Sequence, residues 1–396
     1  MRPDARILSA AEMLDRILAG AATEEVLTGW ARGNRFAGSG DRAALRDLVF
    51  DALRCRGSYT ALAGASTPTG RALMIGRAVA AEQPLAELFT GAPHAPAPLD
   101  AAETAALAAV DRAAQRAAAP RTDMPGWLLP ALDAALGPEC GAVLGLMRQR
   151  APVWLRVNLA RATRAQAQAA LASDGIVTQP DKQVETALEV IENARKIRAC
   201  TTYLAGLVEL QDLSPQAAVA ALPLTPGARV LDLCAGGGGK SLAIVARHRG
   251  PVLAHDALPA RMADLPARAA RAGAGVTILP PEHLAASGPF DLVLADVPCS
   301  GSGTWRRTPD AKWRLDPAGL ADLLALQAAI LDTAAALVAP GGTLAYMTCS
   351  LLAAENLGQI ERFLGRAPGY RLAQARLFTP LGGGDGFFSA HLTREN

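Results

Sequence analysis

The stretch V-L-D-L-C-A-G-G-G-G-K, residues 230–240, decides the fold. A short apolar run suited to a buried strand feeds four glycines and then residues suited to a helix. Glycine lets the backbone take positive φ and approach a ligand closely. The start of a helix offers free N–H groups to an anionic group. The spacing is not G-x-G-x-x-G, and it is not that of a triphosphate-binding loop. Asp256 lies 24 residues after Asp232, at the end of the next apolar run, where a carboxylate can accept hydrogen bonds from ribose hydroxyls. Together these features predict a nucleoside cofactor.

Downstream, strands are predicted at 230–234, 251–255, 276–279, 291–296 and 343–348, alternating with helices at 240–248, 317–338 and 353–364. That alternation implies an α/β fold, a doubly wound and mostly parallel sheet with ligands at the carboxyl ends of its strands. Upstream, residues 5–118 read as helices with polar breaks, among them one amphipathic helix over 41–59. Asp100 and Glu103 form a capping-box pattern. A break at 120–125 precedes helical residues 127–150, a strand at 153–159, a helix at 163–172 and two or three further short strands before Leu210. The pattern divides into an all-α region at 1–122, a small α+β module at 123–215 and the α/β domain at 216–396.

Composition excludes several classes. Over 396 residues the hydrophobic share is 51% and the aromatic share 4%, so Ala, Leu and Val must fill most of the core. Net charge is +2, and 35 of the 39 basic residues are arginine, a bias that high-GC codon usage also produces. The six cysteines form no C-x-x-C pair and the five histidines no H-E-x-x-H, so no metal site is expected. The N-terminus lacks a signal-peptide pattern, and no window approaches the roughly 18 consecutive apolar residues of a membrane span. A monomeric, cytoplasmic protein with reduced thiols is expected.

Two further motifs carry chemistry. F-D-L-V-L-A-D-V-P-C-S-G-S-G, residues 290–303, brings Asp296 and Cys299 to a strand end, with Pro298 stiffening the turn. T-C-S, residues 348–350, brings Cys349 to another, followed by Glu355 and Asn356. One reaction that uses two thiols is methylation of cytosine C5. A thiolate adding at C6 makes C5 nucleophilic, and a second thiol can assist its later expulsion. Strand-end placement leaves Cys299 and Cys349 as equal candidates for the attack. A nicotinamide-dependent dehydrogenase would fit the glycine loop but leave both thiols unexplained. A non-catalytic RNA-binding assembly factor would need neither.

The quoted motifs, with Q-D-L-S-P-Q-A-A at 211–218 and G-D-G-F-F-S-A-H-L at 384–392, resemble the Nol1/Nop2/Sun RNA cytosine-5 methyltransferases from about residue 127 onward. The N-terminal region resembles the NusB-like RNA-binding domain fused to bacterial small-subunit ribosomal RNA members. The resemblance implies S-adenosyl-L-methionine as cofactor and RNA, most specifically 16S ribosomal RNA, as partner; transfer RNA is the alternative. It implies Cys349 as nucleophile, Cys299 as the release thiol and Asp296 at the base edge. The implied cofactor set is Cys234, Ala235, Gly236, Gly237, Gly238, Gly239, Lys240, Asp256, Arg261 and Asp296. Three positions depart from the family pattern. The loop reads C-A-G-G-G-G-K where C-A-A-P-G-G-K is usual, so a more flexible loop is expected. Pro280, Pro281 and Glu282 stand where an aspartate near adenine is usual, and Leu292 where a basic or small residue is usual.

Arg306, Arg307, Lys312 and Arg314, interleaved with Trp305 and Trp313, fit phosphate contact and base stacking. Arg42, Arg46, Arg54 and Arg56 are further candidates for the RNA backbone.

Overall fold

A computed structural model describes residues 1–248 and 250–396. The chain forms two compact units: Met1–Arg150 with Trp305–Arg314, and Ala151–Thr304 with Leu315–Asn396. This differs from the three-part division by pattern. Residues 123–150 join the first unit through buried Asp123, which accepts from Ser58 N at 2.7 Å, Ser58 Oγ at 2.8 Å and Arg148 Nε at 2.6 Å.

The first unit is helical around a core that includes Leu14, Leu45, Val49, Leu73 and Met74. Asp100 and Glu103 make both capping-box bonds. The single helix expected over 41–59 is two, Ser39–Arg54 and Arg56–Leu62, parted at Cys55. Just past the break, a Cβ on Gly57 would lie 1.9 Å from Thr122 O, so the second helix packs at glycine distance.

The segment Trp305–Arg314, expected to offer phosphate contact and base stacking, is instead largely built into this unit. Trp305, Arg306 and Lys312 are 1%, 3% and 1% exposed. Helix Ser39–Arg54 ends in carbonyls without intrahelical partners. Trp313 Nε1 donates to Leu53 O and Lys312 Nζ to Arg54 O, each at 2.8 Å. A cation at a helix C-terminus is favourable. Arg54, itself buried, donates from Nε to Arg306 O at 2.6 Å. Arg314 NH2 reaches Ala21 O at 2.7 Å. Arg46 is held by both carboxylate oxygens of Glu24, and the Arg56 guanidinium stacks on Trp313 at 4.9 Å. Arg42 remains exposed. Most of these side chains therefore build the unit.

The second unit holds two sheets. Strands β1 (Val153–Val157), β2 (Val177–Pro180), β3 (Ala187–Glu192) and β4 (Val208–Leu210) form an antiparallel sheet in the order β2-β3-β1-β4. Strands β5 (Val230–Asp232), β6 (Val252–Ala254), β7 (Thr277–Ile278), β8 (Phe290–Asp296), β9 (Val338–Thr348), β10 (Tyr370–Phe378) and β11 (Phe387–Arg394) form the second, in the order β10-β11-β9-β8-β5-β6-β7. The five strands β5 to β9 pair in parallel, as expected. The antiparallel hairpin β10–β11 was not among the expected elements. Alternation puts Leu231, Val293, Ala295 and Tyr346 against Leu331 and Leu337 of helix Pro317–Leu337. It puts Val230, Leu292, Leu294 and Met347 against Val219 and Ile244 on the other face. Both faces are covered, as a parallel sheet requires, and the departure at Leu292 is absorbed as core.

Helix Pro317–Leu337, with a mean hydropathy of 1.6 over its most apolar window, is long and apolar enough to cross a membrane by composition. Its Gln327 is buried and donates to Pro298 O at 3.0 Å, so it serves as a wall of this unit.

Burial pushes the Lys312 ammonium down from 10.5 to about 8, a cost of about 3 kcal/mol at neutral pH. A lysine depressed in the fold penalises folding below its folded value, and the penalty disappears as pH rises to the unfolded one. Urea denaturation of wild type and Lys312→Met should therefore show the wild type gaining on the variant between about pH 8 and 10.5. A constant difference across that range would contradict the burial argument.

Candidate active site

The strand ends of the larger sheet assemble the site. The glycine loop follows β5, with Gly236 and Gly238 at φ 50° and 75°. At this positive φ a Cβ on Gly238 would also meet Leu265 Cδ1 at 2.1 Å, so glycine is favoured by both backbone and packing. The expected looseness of this loop is offset from outside. Arg156, on β1, donates to Gly239 O at 2.7 Å, and Arg268 donates to Gly237 O. Asp256 accepts from Gly236 N at 3.0 Å. Arg156 was not among the expected site residues. Its signal, an arginine inside the alternating strand V-W-L-R-V, was visible but pointed to no partner.

Asp256 is buried, accepts from Leu258 N at 3.0 Å and lies 3.4 Å from the Arg261 guanidinium. Glu282, by contrast, is exposed in a short 3-10 turn after β7.

Around a cavity of about 170 Å³ stand Gln211, Asp232, Cys234, Ala235, Gly239, Lys240 and Asp296. Burial raises Asp232 to about 6, although Ser241 Oγ donates to its Oδ2 at 2.6 Å. Its Oδ1 is buried with no protein partner among the described residues. Such an atom can accept one further hydrogen bond, from water or from a ligand. Burial pushes the Cys234 thiol to about 12, assisted by the neighbouring carboxylates, so it stays protonated.

Lys240 donates to Asp296 Oδ2. Burial would lower the ammonium, but the Asp296 charge and hydrogen bond outweigh it and hold Lys240 above its usual range.

Strands β8 and β9 run in parallel with Asp296 opposite Met347, so residues three and two positions further on meet. Cys299 Sγ lies 3.3 Å from Cys349 Sγ. Either sulfur can donate in this contact; with Cys299 as the donor the Cys349 thiol is held below its ordinary value, and Lys240 acts in the same direction. The same contact holds Cys299 well above it. Lys240 favours the ionised form of Cys349, while burial and the charges of Asp296 and Glu355 oppose it.

Behind the thiols, Glu355 and Asn356 form a corner whose side chains turn inward, and the helix expected from 353 begins only at Leu357. Asn356 Oδ1 accepts from Thr348 Oγ1 at 2.6 Å and its Nδ2 donates to Ser350 O at 2.9 Å, so it grips the chain on both sides of Cys349. The motifs at 211–218 and 384–392 also meet: Asp212 Oδ1 accepts from Asp385 N at 2.8 Å, and Ser214 Oγ donates to Asp385 O at 2.7 Å. No cluster of His, Cys, Asp or Glu suited to a metal occurs among the described residues.

The strand order and the glycine loop are those of a Rossmann-like methyltransferase. The crystal structure of PH0851 superposes over 100% of this chain and 99% of its own, with a TM-score of 0.74 at 21% identity. A methyltransferase homolog protein from Pyrococcus horikoshii covers 68% of this chain and 95% of its own, at TM-score 0.60 and 22% identity. A family model described as 16S rRNA methyltransferase RsmB/F matches residues 219–392. A second, for an RsmF/B-like ferredoxin-like domain, matches 124–197. Ribosomal RNA small subunit methyltransferase B of Salmonella arizonae is 36% identical over 287 residues, 68% of this chain and 66% of that protein. The protein of the same name from Photorhabdus laumondii is 34% identical over 285 residues, with the same coverage. The alignments thus span just under two thirds of these relatives' length. The chain belongs to the RsmB/F family.

Iodoacetamide at neutral pH should label Cys349 before Cys299, read by peptide mass spectrometry. Lys240→Met, which removes the cation, should move the midpoint of Cys349 labelling to higher pH. Labelling of Cys299 first would reverse the assignment of charge.

Proposed function

We propose that this protein methylates C5 of a cytosine in RNA, specifically small-subunit ribosomal RNA, with S-adenosyl-L-methionine as methyl donor. The observation that carries the reading is the pair of thiols 3.3 Å apart beside the Lys240–Asp296 ion pair. The target follows from the RsmB/F family and from the names of the curated relatives.

The residues at hand fit the cofactor. The loop from Cys234 to Lys240, with Asp256, Arg261 and Asp296, would hold it, and the unpartnered Asp232 Oδ1 would accept from its cationic amino group. When bound, it supplies an electrophilic methyl group.

The target base leaves its stack to reach the pocket, as chemistry on a base requires. The Cys349 thiolate, stabilised by the Cys299 S–H and by Lys240, forms a bond to C6. The C5–C6 double bond supplies the electron pair that makes C5 nucleophilic. Asp296 binds the base edge and is oriented for this by Lys240. After methylation the C5 proton passes to solvent water, its C–H electron pair re-forms the C5–C6 double bond and the C6–S bond breaks, returning the thiolate. Cys299, in contact with that sulfur, assists the departure. The thiols need a reducing compartment, so the reading puts the enzyme in the cytoplasm.

Cys349→Ala should abolish methyl transfer and all covalent complex with RNA. Cys299→Ala should instead accumulate the complex, visible as a denaturation-resistant band. If Cys349→Ala traps RNA while Cys299→Ala turns over, the roles are exchanged. Mapping of 5-methylcytosine in ribosomal and transfer RNA, from cells with and without the gene, tests the substrate. Loss confined to transfer RNA would overturn the ribosomal assignment.

A further inference from the structure

Glu355 is fully buried and its hydrogen-bond donors among the described residues are all neutral, an expensive place for a carboxylate unless its oxygens are saturated with donors. They are well supplied. Oε1 accepts from Ser300 N at 2.8 Å and Gln327 Nε2 at 2.9 Å. Oε2 accepts from Ser300 Oγ and Ser350 Oγ, each at 2.5 Å. The two serines are the residues that directly follow the two reacting cysteines. One carboxylate therefore binds both strand extensions, one step beyond the thiols. Gln327 closes the arrangement from helix Pro317–Leu337 by donating also to Pro298 O, the residue before Cys299. Gln359 donates in turn to Gln327 Oε1 at 3.1 Å, which fixes the amide's orientation.

We infer that Glu355 is a positioning residue: by clamping Ser300 and Ser350 it holds the Cys299 and Cys349 sulfurs within reach of each other. Register in the sheet brings the two turns side by side, and Gly303 N donating to Cys349 O at 2.9 Å and Leu351 N donating to Ser302 Oγ at 2.8 Å tie the far part of the first turn to the second, which leaves the residues directly after the two sulfurs to be joined. The clamp acts at that point. Apolar packing would not replace it, because Ser300 N–H and both hydroxyls would then lose their acceptor. The inference rests on the reading of the two thiols as the reacting pair.

The test uses the full-length chain and two readouts. The first is single-turnover methyl transfer to small-subunit ribosomal RNA. The second is the rate at which diamide closes a Cys299–Cys349 disulfide; the reagent takes one hydrogen from each thiol as the S–S bond forms. The second readout reports thiol proximity without RNA or cofactor. Glu355→Ala should slow methyl transfer by about 100-fold, the effect of misplacing a reacting group by about 1 Å. The KM values for RNA and S-adenosylmethionine should stay within about twofold. Disulfide closure should slow by about tenfold or more. Should Glu355→Ala fail to fold, Ser300→Ala with Ser350→Ala removes both hydroxyl arms, leaves the carboxylate in place and should move both rates in the same direction. A folded variant that closes the disulfide at the wild-type rate overturns the clamp, whatever its activity. So does one that transfers methyl at the wild-type rate. A wild type that leaves cytosine unmethylated strikes at the proposed function, while the disulfide rates still decide whether Glu355 holds the thiols together.

Discussion

The site depends on the parallel pairing of β8 with β9. That pairing sets Asp296 against Met347, and everything chemical follows from the turns that leave those two strands. In-register neighbours at the ends of parallel strands stay neighbours for a few residues beyond. Two motifs 50 residues apart in sequence thus deliver thiol to thiol and serine to serine. The glycine loop after β5, on the other side of β8, adds Lys240 to the same edge. A one-residue slip between β8 and β9 would send alternate side chains to the opposite face and part the cysteines.

Much of this was legible. Strand–turn–helix alternation from residue 229 gave the parallel sheet, and strand-end acids and thiols named the residues that the structure gathers: Asp296, Cys299, Cys349 and Lys240. Periodicity and residue type report which side chains face inward and where strands end. They do not report which distant side chain satisfies a backbone carbonyl. For that reason Arg156 and Arg268, which hold the glycine loop, were not foreseen. Glu355 and Asn356 were visible after the second cysteine, but their purpose is a pattern of acceptors and donors that exists only once two strands lie side by side. The hairpin β10–β11 was missed because its outer strand is largely exposed and breaks the strand–helix alternation.

The basic and aromatic segment after the first cysteine shows how composition can mislead. Arginine, lysine and tryptophan interleaved suggest RNA contact, yet the same groups are good partners for a helix C-terminus. An indole N–H and an ammonium satisfy two carbonyls there, while the ring buries its apolar area. The cost appears in the depressed Lys312 ammonium. Charge alone cannot separate the two uses; a nearby orphan acceptor decides.

The central claim is that Cys349, not Cys299, forms the bond to the base. RNA carrying 5-fluorocytosine tests it most directly, because fluorine at C5 cannot leave as a proton does and the adduct persists. Wild-type protein would be incubated with this RNA and S-adenosylmethionine, digested, and the nucleotide-bearing peptide sequenced by mass spectrometry. The adduct is expected on the peptide containing Thr348, Cys349 and Ser350. An adduct on the peptide containing Pro298 and Cys299 would contradict it.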